Sequence, residues 1–281
     1  MFSRYRNIFP KGISKSDKQK WKNALYFFHR HFPSKKIDRI LIEEKGVHGY
    51  PFVADNSFYK VELQTESTTL FKRKNNILAL MQYPLKGVVY PKKITNDDKC
   101  IIYEYKHYPD GDLFTKLIDY ELNFAEIDSL FKQMLKIIDN IHRQGFIHRD
   151  IKLENILVSG KEILLTDIEY MQSFSQLDNF YGGTYNYLPP KFNMYSPLQL
   201  EYYSFGKSIL KALYLQDFIT GESIKNWIDE QESSLFFQNL DFNDYPIVIR
   251  KWINIGVTCC VNIETNDFEY DSLQSLYNSF K

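Results

Sequence analysis

Apolar side chains recur along this chain with two different periods. Near the amino terminus Trp21, Leu25, Phe28 and Phe32 fall on one helical stripe. That spacing predicts an amphipathic helix over 16–32, with Ser16 and Gln19 as a capping box and Pro33-Ser34 as its end. A β-rich stretch follows: a strand at Ile40–Ile42, a glycine turn at Lys45–Gly49, a strand at Tyr50–Ala54, a hairpin turn at Asp55-Asn56 and a strand at Ser57–Leu63. Residues 66–82 return to a helical pattern through Leu70, Ile77, Leu78 and Met81. Ile101–Tyr105 reads as another strand, followed by the loop Pro109-Asp110-Gly111.

From there the pattern is mainly helical. Asn123, with Glu126 three residues on, opens a long helix whose apolar face is Ile127, Leu130, Phe131, Met134, Ile138 and Ile141, and Gly145 stops it. Short strands are expected at Ile156–Val158 and Ile163–Asp167, then helices over 198–215, 222–236, 245–259 and 270–280. Strands first and helices afterwards imply an α+β architecture in two segregated parts. The expected divisions are a basic extension with an amphipathic helix (1–37), a small β-rich part (38–105) and a larger, mainly helical part (106–281).

Composition narrows the class. With 44% hydrophobic and 16% aromatic residues, the chain is not globally disordered. It has no run of eighteen apolar residues, so no membrane span or membrane partner is expected. Arg4 and Arg6 have no apolar stretch behind them, which argues against a secretory signal. Cys100, Cys259 and Cys260 suit a reducing compartment, and the adjacent pair lacks zinc-site spacing. The expected location is therefore intracellular.

Net charge is zero but uneven. Residues 1–40 hold eleven Lys/Arg against two Asp/Glu, whereas residues 201–281 hold six against twelve. An acidic carboxy-terminal part attracts basic partners at long range, and each cluster also reads as a solvated face. Direct nucleic-acid binding is not expected, and a homodimer is left open.

Candidate chemistry centres on His148-Arg149-Asp150-Ile151-Lys152-Leu153-Glu154-Asn155, between the long helix and a strand. Phosphoryl transfer to a hydroxyl needs an aligned acceptor, a cation on the moving group and metal ions on the phosphates. Asp150 can take or orient the hydroxyl proton, Lys152 can put positive charge on the γ-phosphate, and Asn155 can offer a neutral oxygen to magnesium. Asp167, at the end of the next strand, can supply a second hard oxygen.

This order of residues resembles the protein-kinase family. The resemblance implies the bilobal protein-kinase fold, with a small β-rich N-lobe and a larger, mainly helical C-lobe. It also implies ATP with Mg2+ (or Mn2+) and transfer to serine or threonine on a protein. Under it Gly183–Pro190 looks like the end of an activation segment, with Thr184 near the acceptor and in contact with Asp150 and Lys152. Glu201–Gly206 looks like the start of the large lobe's central helix. Tyr103-Glu104-Tyr105 looks like the hinge, and Asp112 is placed near the ribose. Gly46 and Gly49 match two glycines of the phosphate-covering loop, and Lys60 matches the lysine on the α- and β-phosphates. The phrases Pro109–Phe114 and Lys152–Asn155 are similar to the serine/threonine kinase encoded by baculoviruses, whose implied substrates are basic and arginine-rich. If the chain is viral, the host cytoplasm or nucleus is the expected compartment. Glu154 matches a position that reads a basic residue in many kinases.

Three departures stand against the pattern. The helix after Lys60 offers Lys72, Arg73 and Lys74 where the family has a glutamate, with Glu66 nearer its start. Asp167-Ile168-Glu169 replaces Asp-Phe-Gly. Lys191 replaces the glutamate that closes the activation segment, and no arginine follows Arg250 to pair with one. A pseudokinase scaffold is the alternative these departures raise.

Overall fold

The computed structural model describes residues 13–41, 49–63, 69–177 and 183–280, with the backbone alone at 69–72. The chain divides into two compact units, Met1–Gln82 with Tyr90–Pro109, and Tyr83–Val89 with Asp110–Lys281.

The first unit opens with helix α1, Lys15–His31. Its cap is Ser14, not Ser16: the Ser14 hydroxyl accepts from the Asp17 backbone N–H at 2.9 Å and donates to the Asp17 carboxylate at 2.8 Å. A carboxylate in the first turn also meets the positive end of the helix dipole, and Gln19 reaches forward to Asn23 instead. Strands β1 (Ile37–Ile40), β2 (Tyr50–Ala54) and β3 (Ser57–Leu63) follow, then helix α2 (Thr69–Met81), β4 (Lys93–Asn96) and β5 (Cys100–Lys106). The first strand begins three residues before the sequence reading, and Ile42 lies outside the described residues.

The antiparallel sheet has the order β1-β2-β3-β5-β4. Asp55 and Asn56 both have positive φ, 45° and 59°, as a two-residue hairpin turn requires. Strand β4 escapes the sequence pattern because it lies at an edge. It needs backbone partners on β5 more than apolar side chains, and Lys93-Ile94-Thr95-Asn96 provides only one of the latter. Helix α1 covers one face of the sheet. Trp21, Ala24, Leu25 and Phe28 share a buried cluster with Phe52, Tyr59, Val61 and Ile102. The helix set apart by the sequence as an extension is thus part of this unit's core.

In the second unit Asp112 caps α3 (Leu113–Asp119), and α4 (Phe124–Arg143) begins with the complete Asn123–Glu126 capping box. Gly145, at φ 80°, lies just past the end of α4. Short strands β6 (Phe146–Ile147), β7 (Ile156–Ser159), β8 (Glu162–Leu165) and β9 (Gln172–Ser173) form two antiparallel pairs, β6 with β9 and β7 with β8. Strand β8 ends two residues before Asp167 rather than on it.

Helices α5 (Pro197–Leu215), α6 (Glu222–Asp229), α7 (Ile247–Glu264) and α8 (Leu273–Ser279) complete the unit. Ser196 and Gln199 box the start of α5, and Pro197 fits its first turn. Helix α6 stops well short of residue 236. Glu264 collects the hydroxyls of Ser233 and Ser234 and the Ser234 backbone N–H, at 2.6 to 2.7 Å, which draws the chain into a short 3-10 turn, Ser234–Asn239. Among the described residues no helix is long and apolar enough to cross a membrane. Cys100, Cys259 and Cys260 are free and buried.

Candidate active site

The loop between β6 and β7 presents the chemistry. Asp150 is 6% exposed, and three side chains converge on its carboxylate. Lys152 Nζ donates to Oδ2 at 2.9 Å, Asn155 Nδ2 donates to Oδ2 at 2.9 Å, and the Thr184 hydroxyl donates to Oδ1 at 2.9 Å. Lys152 also donates to the Thr184 oxygen at 2.7 Å, closing a triangle of carboxylate, ammonium and hydroxyl. The structure therefore brings Asp150, Lys152, Asn155 and Thr184 together.

A second bond from Asn155 Nδ2, to the Asp150 carbonyl at 2.9 Å, fixes which way the amide points. Its nitrogen is committed twice, and its oxygen is left as the acceptor end. The Thr166 backbone N–H donates to the Asn155 carbonyl at 2.9 Å, so Asp167 follows directly at the same end of the β7–β8 hairpin. Asn155 and Asp167 thus offer an amide oxygen and a carboxylate, a donor set that suits magnesium. Asp167 holds a left-handed backbone, φ 66° and ψ 51°, and Arg149 another at φ 74°. Non-glycine residues held there cost about 1 kcal/mol or more, and such strain concentrates at functional sites.

A buried framework holds the loop. Glu201, in the first turns of α5, accepts from the Arg149 backbone N–H at 2.6 Å and bonds His142 Nε2 at 2.6 Å. Burial alone would raise its carboxyl pKa. The bond and charge of His142, with the Arg149 N–H, more than offset that and hold it below the usual range. His148 bridges the Thr166 carbonyl at 2.9 Å and the Asp150 backbone N–H at 3.3 Å, which fits a proton on Nε2. The Arg149 guanidinium donates to Gln172 on β9 at 2.6 Å.

Sequence reasoning placed Glu201 only as a helix start and passed over His142. The signal was an acid among the large side chains Leu200, Tyr202, Tyr203 and Phe205, where a carboxylate is buried only with partners.

The end of the activation-like segment is tied by neutral bonds. Ser204 donates to the Tyr187 carbonyl, Gln231 to Pro189, and Asn186 to Asp229, at 2.9 to 3.0 Å. No ion pair at Lys191 is needed to hold it. Glu154 accepts from the Tyr187 hydroxyl at 2.9 Å and from Lys211 Nζ at 3.1 Å. Burial, and then the charge of Glu154, push the Tyr187 phenol well up, so it stays a donor.

The nucleotide candidates in the first unit lie around the central strands. A Cβ added to Gly49 would meet Lys60 Cγ at 2.7 Å and Cε at 2.8 Å, so the chain lies directly on the lysine stem. Lys60 pairs in register with Tyr103 on β5, and Tyr105 pairs with Phe58. Glu104 is on the opposite face, in register with Tyr59 on β3. In the second unit both carboxylate oxygens of Asp112 are bonded to Thr115, at 2.9 and 3.0 Å, as a helix cap. Gly46 and Glu66 lie outside the described residues, as does the side chain of Lys72. Arg73 on α2 faces Glu62 on β3 at 4.0 Å, with Glu62 buried. A cation on the helix and a carboxylate on the strand reverse the family's usual polarity.

This bilobal α+β fold and its catalytic loop define a protein kinase domain. Residues 58–250 match the family described as the protein kinase domain, and the chain belongs to it. It is 29% identical over 133 residues to the serine/threonine-protein kinase cds1 of Schizosaccharomyces pombe, covering 46% of this chain and 28% of that one. The kinase cot-1 of Neurospora crassa is 34% identical over 133 residues, covering 46% and 22%. A protein of Acanthamoeba polyphaga mimivirus assigned as a serine/threonine-protein kinase is 27% identical over 259 residues, covering 82% and 39%. The aligned part thus spans well under half of each of these relatives.

Proposed function

We propose that this chain is an active serine/threonine protein kinase that moves the γ-phosphoryl group of ATP to a hydroxyl on a protein. The observation that carries this reading is the triangle of Asp150, Lys152 and Thr184, with Asn155 clamped beneath it. Asp150 accepts the proton as the acceptor oxygen bonds phosphorus and the bond from phosphorus to the ADP oxygen breaks. Lys152 carries positive charge onto the transferring group, and Thr184 holds it and Asp150 in register. Asn155 and Asp167 would hold Mg2+, which when bound neutralises charge on the phosphates. Lys60, steadied by Gly49, is assigned to the α- and β-phosphates.

The acceptor proteins are proposed to be basic, supported by the acid surplus of residues 201–281. The resemblance of Pro109–Phe114 and Lys152–Asn155 to the baculovirus-type kinase, and separately the mimivirus relative, support a viral origin. Free thiols and the need for ATP support an intracellular site.

The second reading, a scaffold with little transfer, draws on the reversed Arg73–Glu62 pair and on the buried Glu169 two residues after Asp167. One assay separates them. Purified protein is incubated with Mg2+, labelled ATP and serine peptides, beside Asp150→Asn. Transfer by the wild type, lowered about 10²-fold or more in the variant, is expected. ATP binding without transfer to any peptide would establish the scaffold.

A further inference from the structure

Beside the catalytic triangle lies a receptor for a cation that is already filled from within. Glu154 is two residues from Lys152, and Tyr187 is three residues from Thr184. The ammonium of Lys211, on α5, sits 3.1 Å from Glu154 Oε1, 4.5 Å from the Phe114 ring centroid and 4.9 Å from that of Tyr187. The Tyr187 hydroxyl takes the other carboxylate oxygen at 2.9 Å. One carboxylate and two aromatic faces are what a guanidinium or ammonium group seeks. The Lys211 side chain is 14% exposed, whereas that of Glu154 is 38% exposed, so the carboxylate is open to solvent and the cation is held beneath it.

We propose that Lys211 is a specificity-determining residue: it occupies a cation subsite beside the acceptor and so prevents Glu154 from rewarding an arginine in the substrate. The inference rests on the kinase reading for its place in catalysis. It removes Glu154 from the grounds for basic selectivity and leaves the acid surplus of residues 201–281 to act at long range. An incoming guanidinium meets a neutralised carboxylate and the repulsion of Lys211. Without Lys211, the same carboxylate and rings form a vacant site.

The test uses serine peptides that differ by one arginine-for-alanine exchange, scanned from three residues before the acceptor to three after it. In the wild type the ratio of kcat/KM for each arginine peptide to its alanine partner is expected to stay near one. Lys211→Ala is expected to raise it about tenfold at one or two positions, the scale of one charge-assisted hydrogen bond, and to leave turnover of the alanine peptide unchanged. Adding Glu154→Ala is expected to cancel the gain. Lys211→Met, which keeps an unbranched apolar side chain at the position, is run beside it and is expected to shift the ratio in the same direction, so a misfolded alanine variant does not leave the matter open. A wild type that already favours arginine, and loses the preference in Glu154→Ala, overturns the proposal. So does an unchanged ratio in both Lys211 variants. If no peptide is phosphorylated, the kinase reading fails separately. Calorimetric binding of the same peptides then decides: tighter arginine-peptide binding to Lys211→Ala than to wild type supports the internal occupant, and equal binding refutes it.

Discussion

Glu201 shows how one buried side chain can fix a whole loop. Its two oxygens hold the Arg149 backbone, in its left-handed conformation, and the His142 imidazole. Because its folded pKa is depressed, its contribution is present above the unfolded carboxylate value of about 4.3 and is lost as pH falls through the lower folded value. Glu201→Gln removes that dependence. Denaturant unfolding at a series of pH values below about 4.5 should show a shallower decline for the variant than for the wild type. At neutral pH the variant should be less stable by about 3 kcal/mol, the scale of breaking a buried pair on one side. An identical acid slope in both proteins would assign the acid sensitivity to other groups.

At the scale of elements, the contact between α5 and α7 leaves no room for growth. A Cβ on Gly206 would stand 2.5 Å from Cys259 Cβ and 2.7 Å from the Gly256 carbonyl. Gly206→Ala should therefore lower stability by about 3 kcal/mol, read as a drop in the urea midpoint, since both obstacles belong to a packed helix. The reverse exchange at an exposed helical site, Ala125→Gly, should cost only about 1 kcal/mol. This packing also marks what was legible. The apolar faces of α1 and α4 could be read from spacing alone, because each buries one stripe. Helix α5 is buried nearly all round from Leu200 to Leu213, so its sequence showed a helix but not its neighbours. Edge strand β4 is polar and is defined by its pairing with β5 rather than by an apolar pattern, and the early end of α6 depended on Glu264, 30 residues beyond Ser234, which no local window contains.

For the molecule as a whole, the catalytic loop could be read because its chemistry is contiguous: Asp150, Lys152 and Asn155 lie within six residues. Thr184 comes to them from 34 residues away, and Lys211 reaches Glu154 from 57. The first contact was anticipated from family resemblance, and the second had no local signal. The acid surplus of residues 201–281 is a property of the same scale and has its own signature. Raising ionic strength from about 0.05 to 0.15 M shortens the screening length toward 8 Å. KM for an arginine-rich protein should then rise severalfold, while KM for a neutral peptide should hold. Equal responses would mean that the charge imbalance does not guide encounter.

Helix α1 bears on how the chain tolerates shortening. Trp21, Leu25 and Phe28 lie over Phe52, Tyr59 and Val61, and His31 is fastened to Asp97 at 2.9 Å. A version begun at residue 38 would lay that aromatic face bare to water and leave it adhesive to any similar surface. Such a fragment would keep every group of residues 148–155 and still be expected to clump, because the cover that α1 gives the sheet would be gone.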